Sequence, residues 1–373
     1  MKNSILLTGA TGFLGGAIAV EAIRRGLADR LLLLARGDTP AQAHTRVIDN
    51  LKLLGASDNE MRQIGVRHIV CADLSELDGV AGDARLDDVS VAIHSAALAT
   101  FSNHPSLEKI NVDGTVALAR LLHDRPAFSR FLYIGTAMAC GEDAVRDDAI
   151  DELLDLPLDE ASHLVPYTHS KALAEHRLRE EFPDLPLVMV RPSIVVGHTV
   201  LGCAPSQSIF WVFLVAQMLG AFTIALDDHI DVIPVDWCAG AILDLACKER
   251  LASNVYHVSA GFESSVSFRD IDIALATARG VAPVGAAYEQ FDVASLKALL
   301  PRMRECIPGC NDRLLLRALK LYGGFASLSY IFRNEHLRAE GIPASPPLTD
   351  YIGRCFESCR HIPVAEQMKW DFK

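Results

Sequence analysis

Positive charge is scarce in this sequence. Its 35 lysines and arginines are outnumbered by 47 aspartates and glutamates, leaving a net charge of −12. A chain without a basic excess lacks the footprint that a phosphate backbone requires, which argues against a nucleic-acid partner. A disulfide framework is lacking too, because the 9 cysteines are scattered through 373 residues rather than packed as in a small secreted scaffold. The start "MKNSILLTGATG" runs into a strand and a glycine loop, not a signal peptide, so reduced thiols in a cytoplasmic protein are expected. Internal repeats, low-complexity tracts and flexible linkers are absent, leaving an ordered globular chain with enough length for a large core. The apolar run 208–226 approaches the length of a membrane span. Gln217 interrupts it, Gly220 follows, and no lysine or arginine cluster flanks it. A buried or pocket-lining helix is expected there, and no membrane span. The pairs Cys306/Cys310 and Cys355/Cys359 have the spacing of one helical turn rather than that of a zinc site, and no metal is expected.

What is present begins with alternation. Apolar runs at 4–9, 30–36, 67–74, 89–97, 130–136 and 185–197 read as strands, most of them buried on both faces. Segments 13–27, 105–123 and 166–182 between them have helical character. That alternation predicts parallel crossovers and an α/β class, a Rossmann-type doubly wound parallel sheet. Beyond residue 198 long helical segments dominate, with one strand-like return at 254–260. The expected division is a dinucleotide-binding core over 1–200 and a smaller, mostly helical substrate portion over 201–373, of which 231–260 returns to the core.

Within "TGATGFLGG", Gly9, Gly12 and Gly15 follow a buried strand and open a helix. Such a turn aims a helix N-terminus at a pyrophosphate and lets the backbone approach it. At the end of the second strand stands Arg36, where an acidic residue would hold the ribose hydroxyls of NAD. A guanidinium there suits a 2′-phosphate and favours NADP. Asp73, after the third strand, is a candidate adenine contact or a turn cap.

Tyr167 and Lys171 in "YTHSK" share one helix face. A phenol beside an ammonium is expected to have a lowered pKa and to exchange a proton with a carbonyl oxygen as hydride moves. Thr136, ending the fifth strand, is placed to polarise the same oxygen.

The order of these motifs, with "HSAA" at 94–97 and Asn111 in "INVDGT", resembles the extended short-chain dehydrogenase/reductases. More narrowly, "TGATGFLG", "RPSIVVG" (191–197), "DVIPVDWCAGAI" (231–242) and "NVYHVSAG" (254–261) resemble the fatty acyl-CoA reductase (male-sterility) and thioester reductase branch. The resemblance implies a catalytic set of Thr136, Tyr167 and Lys171, with Asn111 as a fourth member. It implies cofactor contacts from Gly9, Thr11, Gly12, Phe13, Leu14, Gly15, Arg36, Asp73 and Leu74. Further contacts would come from Ser95, Ala96, Ala97, Lys171, Pro192, Ser193 and Ile194. His94 would lie near the cofactor, or be a hydrogen-bonded core histidine. The implied reaction is NADPH-dependent reduction of an acyl thioester, on CoA or on an acyl carrier protein, to aldehyde or alcohol. A homodimer through long helices is known in the superfamily.

Phe210, Trp211, Phe213 and Phe222 are candidate linings for an apolar substrate, or core residues. The segment 297–320 carries Lys297, Arg302, Arg304, Arg313, Arg317 and Lys320, suited to CoA phosphates or an acidic carrier protein, or else one solvated helix face. The acidic stretch 146–160 is expected to form an exposed loop over the site. Alternatives to the thioester reductase are a ketone/aldehyde oxidoreductase, a sugar-nucleotide epimerase, and a redox sensor that binds NADP without turnover.

Overall fold

In the computed structural model the described residues are 4–144 and 148–370. Seven strands build one parallel sheet: β1 (Ser4–Thr8), β2 (Leu31–Ala35), β3 (Ile69–Cys71), β4 (Val89–His94), β5 (Arg130–Ile134), β6 (Leu187–Pro192) and β7 (Val255–Val258). Their spatial order is β7-β6-β5-β4-β1-β2-β3. The strand-like return at 254–260 is therefore the seventh strand, parallel to β6.

The helices of the sheet layers are α1 (Phe13–Arg24), α2 (Pro40–Leu53), α3 (Gly114–His123) and α4 (Pro166–Glu181). Beyond the sixth strand come α5 (Phe210–Leu219), α6 (Val235–Cys247), α7 (Phe268–Arg279), α8 (Asp312–Ser327) and α9 (Leu348–Cys359). The strands read as unbroken apolar runs because helices cover both faces. Ile5 and Leu7 pack with α1 and α6 on one face, while Leu6 packs with α3 and α4 on the other. Each fully buried leucine of this kind contributes about 1.5–3 kcal/mol. The order reverses between β1 and β4, and a crevice opens at the carboxyl ends of these strands.

A separate apolar core joins α5, α7, α8 and α9 through residues such as Trp211, Leu275, Leu319 and Ile352. The run 208–226 becomes α5, which Gly220 ends in the left-handed region at φ 59°. Among the described residues no helix is long and apolar enough to cross a membrane. Cys355 and Cys359 are buried on α9, and all nine cysteines are free thiols.

The acidic stretch departs from expectation. Arg146 and Asp147 lie outside the described residues. From Asp148 onward the segment is strapped to the C-terminal portion and to α4 rather than laid over the site. Asp148 and Asp151 pair with Arg333, and Asp155 pairs with Arg179. Glu152 is buried and accepts the N–H groups of His257 (2.9 Å) and His336 (2.8 Å). None of residues 148–160 lines the cavity described below. Sequence spacing could not show the partners Arg333, His257 and His336, because they arrive from more than 100 residues away.

Candidate active site

The site begins where β1 turns into α1. Gly9 has φ 82°, and a Cβ there would lie 2.8 Å from the Ala96 nitrogen. A Cβ on Gly15 would lie 2.3 Å from the Gly9 carbonyl oxygen. Strand, helix and neighbouring loop therefore close to backbone contact only because these side chains are absent. Gly12 caps α1 without a side-chain hydrogen bond, and no acidic residue occupies the first turn. The N-terminal N–H groups of α1 thus remain available to an anion, and the cradle fits the pyrophosphate of a dinucleotide.

His94, at the end of β4, holds the crevice wall. The Ala96 N–H donates to the Thr8 hydroxyl (3.0 Å), which lies 2.8 Å from His94 Nδ1. His94 Nε2 lies 2.8 Å from the Thr115 hydroxyl, which donates to the Asn111 carbonyl (2.7 Å). One assignment satisfies every step: Thr8 donates to Nδ1, and a neutral imidazole donates from Nε2. Burial, aided by the charge of Lys171, pushes the His94 pKa down to about 3. His94 is the hydrogen-bonded core histidine.

Asn111 lies in a π-helical turn (Lys109–Asp113) before α3. Its side chain accepts from the Leu98 N–H (2.7 Å) and donates to the Leu98 carbonyl (3.2 Å) and the Ser170 hydroxyl (3.0 Å). It pins the loop after β4 to α4 and does not line the cavity.

α4 carries Tyr167 and Lys171 one turn apart. Lys171 is buried and donates to the Ile134 carbonyl at 2.7 Å, with its nitrogen 5.9 Å from the centre of the Tyr167 ring. Burial pushes the lysine down to about 8, with Glu175 opposing, and pushes Tyr167 up to about 12. The lowered tyrosine expected from the sequence is thereby corrected: desolvation dominates, and the ammonium is spent on the β5 carbonyl. Tyr167 is a neutral phenol at physiological pH. Thr136, after β5, accepts the Met138 N–H (3.3 Å) and shares the cavity with Tyr167 and Lys171.

That cavity has a volume of about 560 Å³. Of the expected cofactor contacts, Gly9, Gly12, Phe13, Leu14, Gly15, Ser95, Ala97, Lys171, Pro192, Ser193 and Ile194 line it. Thr11, Arg36, Asp73, Leu74 and Ala96 do not. Arg36 and Asp73 form an exposed ion pair at 3.6 Å beyond β2 and β3, and Arg46 donates to the Arg36 carbonyl. Leu74 is buried in the sheet core. Of the candidate substrate linings, Phe213 and Phe222 reach the cavity. Phe210 and Trp211 do not: they are fully buried in the C-terminal core, so that half of the expectation is corrected.

The sequence reading missed much of the apolar wall. Phe101 makes ring contacts with Tyr167 (6.3 Å), Tyr322 (5.8 Å) and Phe325 (5.9 Å), and all of these residues line the cavity. Tyr322 and Phe325 stand three apart on α8, a helical aromatic stripe that could have been read. Phe101 lies in a loop and had no periodic signal. Asp231, also at the wall, accepts N–H groups from Ala260, Gly261 and Phe332.

The male sterility protein family profile matches residues 7–242. The chain is 25% identical over 312 residues to the fatty acyl-CoA reductase wat of Drosophila melanogaster, covering 72% of this chain and 59% of that protein. It is 24% identical over 270 residues to the aldehyde reductase lnaA of Aspergillus flavus, covering 69% of this chain but 26% of that protein. It therefore spans only part of these relatives. Among solved structures, the terminal R domain from the myxalamid PKS-NRPS biosynthetic pathway superposes with a TM-score of 0.76 at 23% identity, covering 96% of this chain and 91% of that one. A thiolation-reductase di-domain from an archaeal non-ribosomal peptide synthetase gives 0.70 at 22% identity, covering 97% and 76%. The chain belongs to the male sterility protein family.

Proposed function

We propose that the protein is an NADPH-dependent reductase of acyl thioesters. One observation carries this reading: a single cavity joins the glycine cradle, the Thr136–Tyr167–Lys171 group and an aromatic C-terminal wall. Residues 1–200 would hold the dinucleotide, and residues 201–373 would close over the acyl group. Arg36, with Arg46 beside it, would meet the 2′-phosphate that distinguishes NADP from NAD.

The dinucleotide, when bound, supplies hydride to the thioester carbonyl carbon. Tyr167, a neutral phenol in its buried setting, donates a proton to the carbonyl oxygen. The Thr136 hydroxyl donates a hydrogen bond to the same oxygen as its charge develops. Lys171, anchored on the Ile134 carbonyl, keeps a positive charge beside the phenol and orients the ribose. Asn111 would act through the α4 contact it makes at Ser170. Collapse of the resulting hemithioacetal breaks the carbon–sulfur bond and releases thiol and aldehyde.

The similarity to a fatty acyl-CoA reductase and to a thiolation-reductase di-domain supports a thioester substrate, delivered by CoA or by an acyl carrier protein. Arg313, Arg317 and Lys320 are exposed on α8 and would meet an acidic carrier or CoA phosphates. Arg302 and Arg304 are instead tied to Glu289 and Asp312. The test is oxidation of NADPH, followed by absorbance, with acyl-CoA thioesters and with the matching aldehydes and ketones. Oxidation with release of free thiol is expected. Turnover of the carbonyl compounds alone would make the protein a ketone/aldehyde reductase.

A further inference from the structure

Among the described residues, two non-glycine residues have positive φ: Ile209 at 67° and Ser329 at 47°. Both line the cavity. A β-branched residue in this region is an outlier, and such strain persists only where the surrounding structure imposes it. At Ile209 the imposing structure is local. Its ψ is −39°, and the Phe210 N–H donates to the Ser208 carbonyl at 2.7 Å. This is the γ-turn with positive φ, the rare and strained form.

The turn opens α5, since the Val212 N–H donates to the Ile209 carbonyl at 2.8 Å. Ile209, Val212, Phe213 and Ala216 all line the cavity, at the spacing of one helix face. Phe210 and Trp211, between them, point into the core with no exposure. Glycine would adopt this turn without strain. The Ile209 side chain makes no capping hydrogen bond. What isoleucine adds at this position is an apolar side chain at the cavity wall, packed against the C-terminal core.

The wall offers little to a charged tail. Its ionisable side chains, tyrosines aside, are Lys171, beside the reacting group, Asp231, whose oxygens accept three backbone N–H groups, and the single imidazole of His229. We propose that Ile209 is a specificity-determining residue whose side chain limits the bulk of an uncharged, apolar acyl tail. This rests on the reading of the cavity as an acyl-thioester site.

The experiment compares the wild type with Ile209→Ala and Ile209→Gly on straight-chain acyl-CoA thioesters of increasing length. A second readout is the thermal stabilisation given by non-reducible S-alkyl pantetheine thioethers with the same tails. Removing the side chain should move the ratio of kcat/KM for long over short tails upward by about tenfold or more. The thioether series should shift the same way. The glycine variant, relieved of strain, should melt above the alanine variant, and it keeps the test alive if alanine fails to fold. An unchanged tail ratio in the variants that fold overturns the proposal, as does a change confined to glycine when alanine also folds. A wild type that reduces thioesters beside variants with the unaltered ratio refutes this inference alone. A wild type that binds the thioethers without reducing any thioester refutes the reaction, while the shift in the binding series still decides the role of Ile209.

Discussion

Glu175 and Arg191 face one another with their side chains 1% exposed, 2.6 Å apart at the closest atoms, one helical turn beyond Lys171. The Arg191 Nε donates to both carboxylate oxygens at 3.1 Å, and its outer nitrogens reach the Leu153 and Leu154 carbonyls. The pair braces α4 against β6 directly behind the reacting groups. Removing one partner from a buried ion pair leaves an uncompensated charge, which costs about 3–5 kcal/mol. Arg191→Met is expected to lower the free energy of unfolding by about that amount. The double variant Glu175→Gln/Arg191→Met should recover part of it. Urea denaturation of the wild type, both single variants and the double variant measures the coupling, and strict additivity would show that the pair does not act as a unit.

In the proposed reaction, Lys171 should govern the alkaline side of the activity profile. Its pKa is pushed down to about 8 by burial, while Tyr167 is pushed up to about 12. As pH rises through 8 the ammonium is lost while the phenol keeps its proton. The expected result is a fall in kcat/KM above about pH 8, approaching tenfold per unit. In a Lys171→Arg variant that retains turnover the fall should disappear, because a guanidinium stays charged throughout this range. A wild-type profile flat to pH 10 would remove the ammonium from the step.

The legible parts of the molecule were those in which local sequence carries its own physical constraint. A strand buried on both faces must be apolar throughout, so the runs at 4–9, 30–36 and 89–97 were readable, and β1, β2 and β4 lie within them. Gly9 and Gly15 announced themselves because backbone contact forbids a side chain there. The illegible parts depend on partners remote in sequence. Phe210 and Phe213 look alike on a helix, yet one is core and the other cavity wall, because helices more than 50 residues away choose the face. The acidic stretch read as a solvated loop because its cationic and backbone partners, among them Arg333 and His257, lie at the other end of the chain. Charge pattern alone does not say whether an acid is solvated or paired.

The glycine cradle makes a sharper prediction than its motif does. A methyl group at Gly15 would sit 2.3 Å from the Gly9 carbonyl oxygen and 2.5 Å from its carbon, both backbone atoms that cannot rotate away. Gly15→Ala must therefore push α1 off β1 and displace the N–H groups that, in the proposed binding mode, face the pyrophosphate. NADPH affinity, measured by calorimetry, should fall at least about tenfold, the equivalent of about 1.4 kcal/mol. Gly79→Ala is the matched comparison, since a Cβ there meets nothing within 4 Å, and it should bind as the wild type does.

Asp231 ties the stability of the fold to pH. Burial pushes its pKa up to about 6, against the opposing hydrogen bonds from the Phe332, Ala260 and Gly261 N–H groups. In the unfolded chain the group titrates near its ordinary value of 3.8. Between about pH 4 and 6 the folded state therefore holds a proton that the unfolded state has released. The sign follows: this contribution is full below pH 4 and is lost as pH rises through 6, with a size on the order of 2–3 kcal/mol. Asp231→Asn abolishes the titration. It also turns an amide NH2 toward at least one backbone N–H, because Ala260 donates to one oxygen while Gly261 and Phe332 donate to the other. The variant should be less stable at every pH, by a gap that is widest at pH 4, narrows up to pH 6 and is constant above it. Equilibrium denaturation at half-unit pH intervals reads the gap directly. A gap that stays constant from pH 4 upward would mean that the three N–H donors keep the Asp231 carboxylate ionised in spite of its burial.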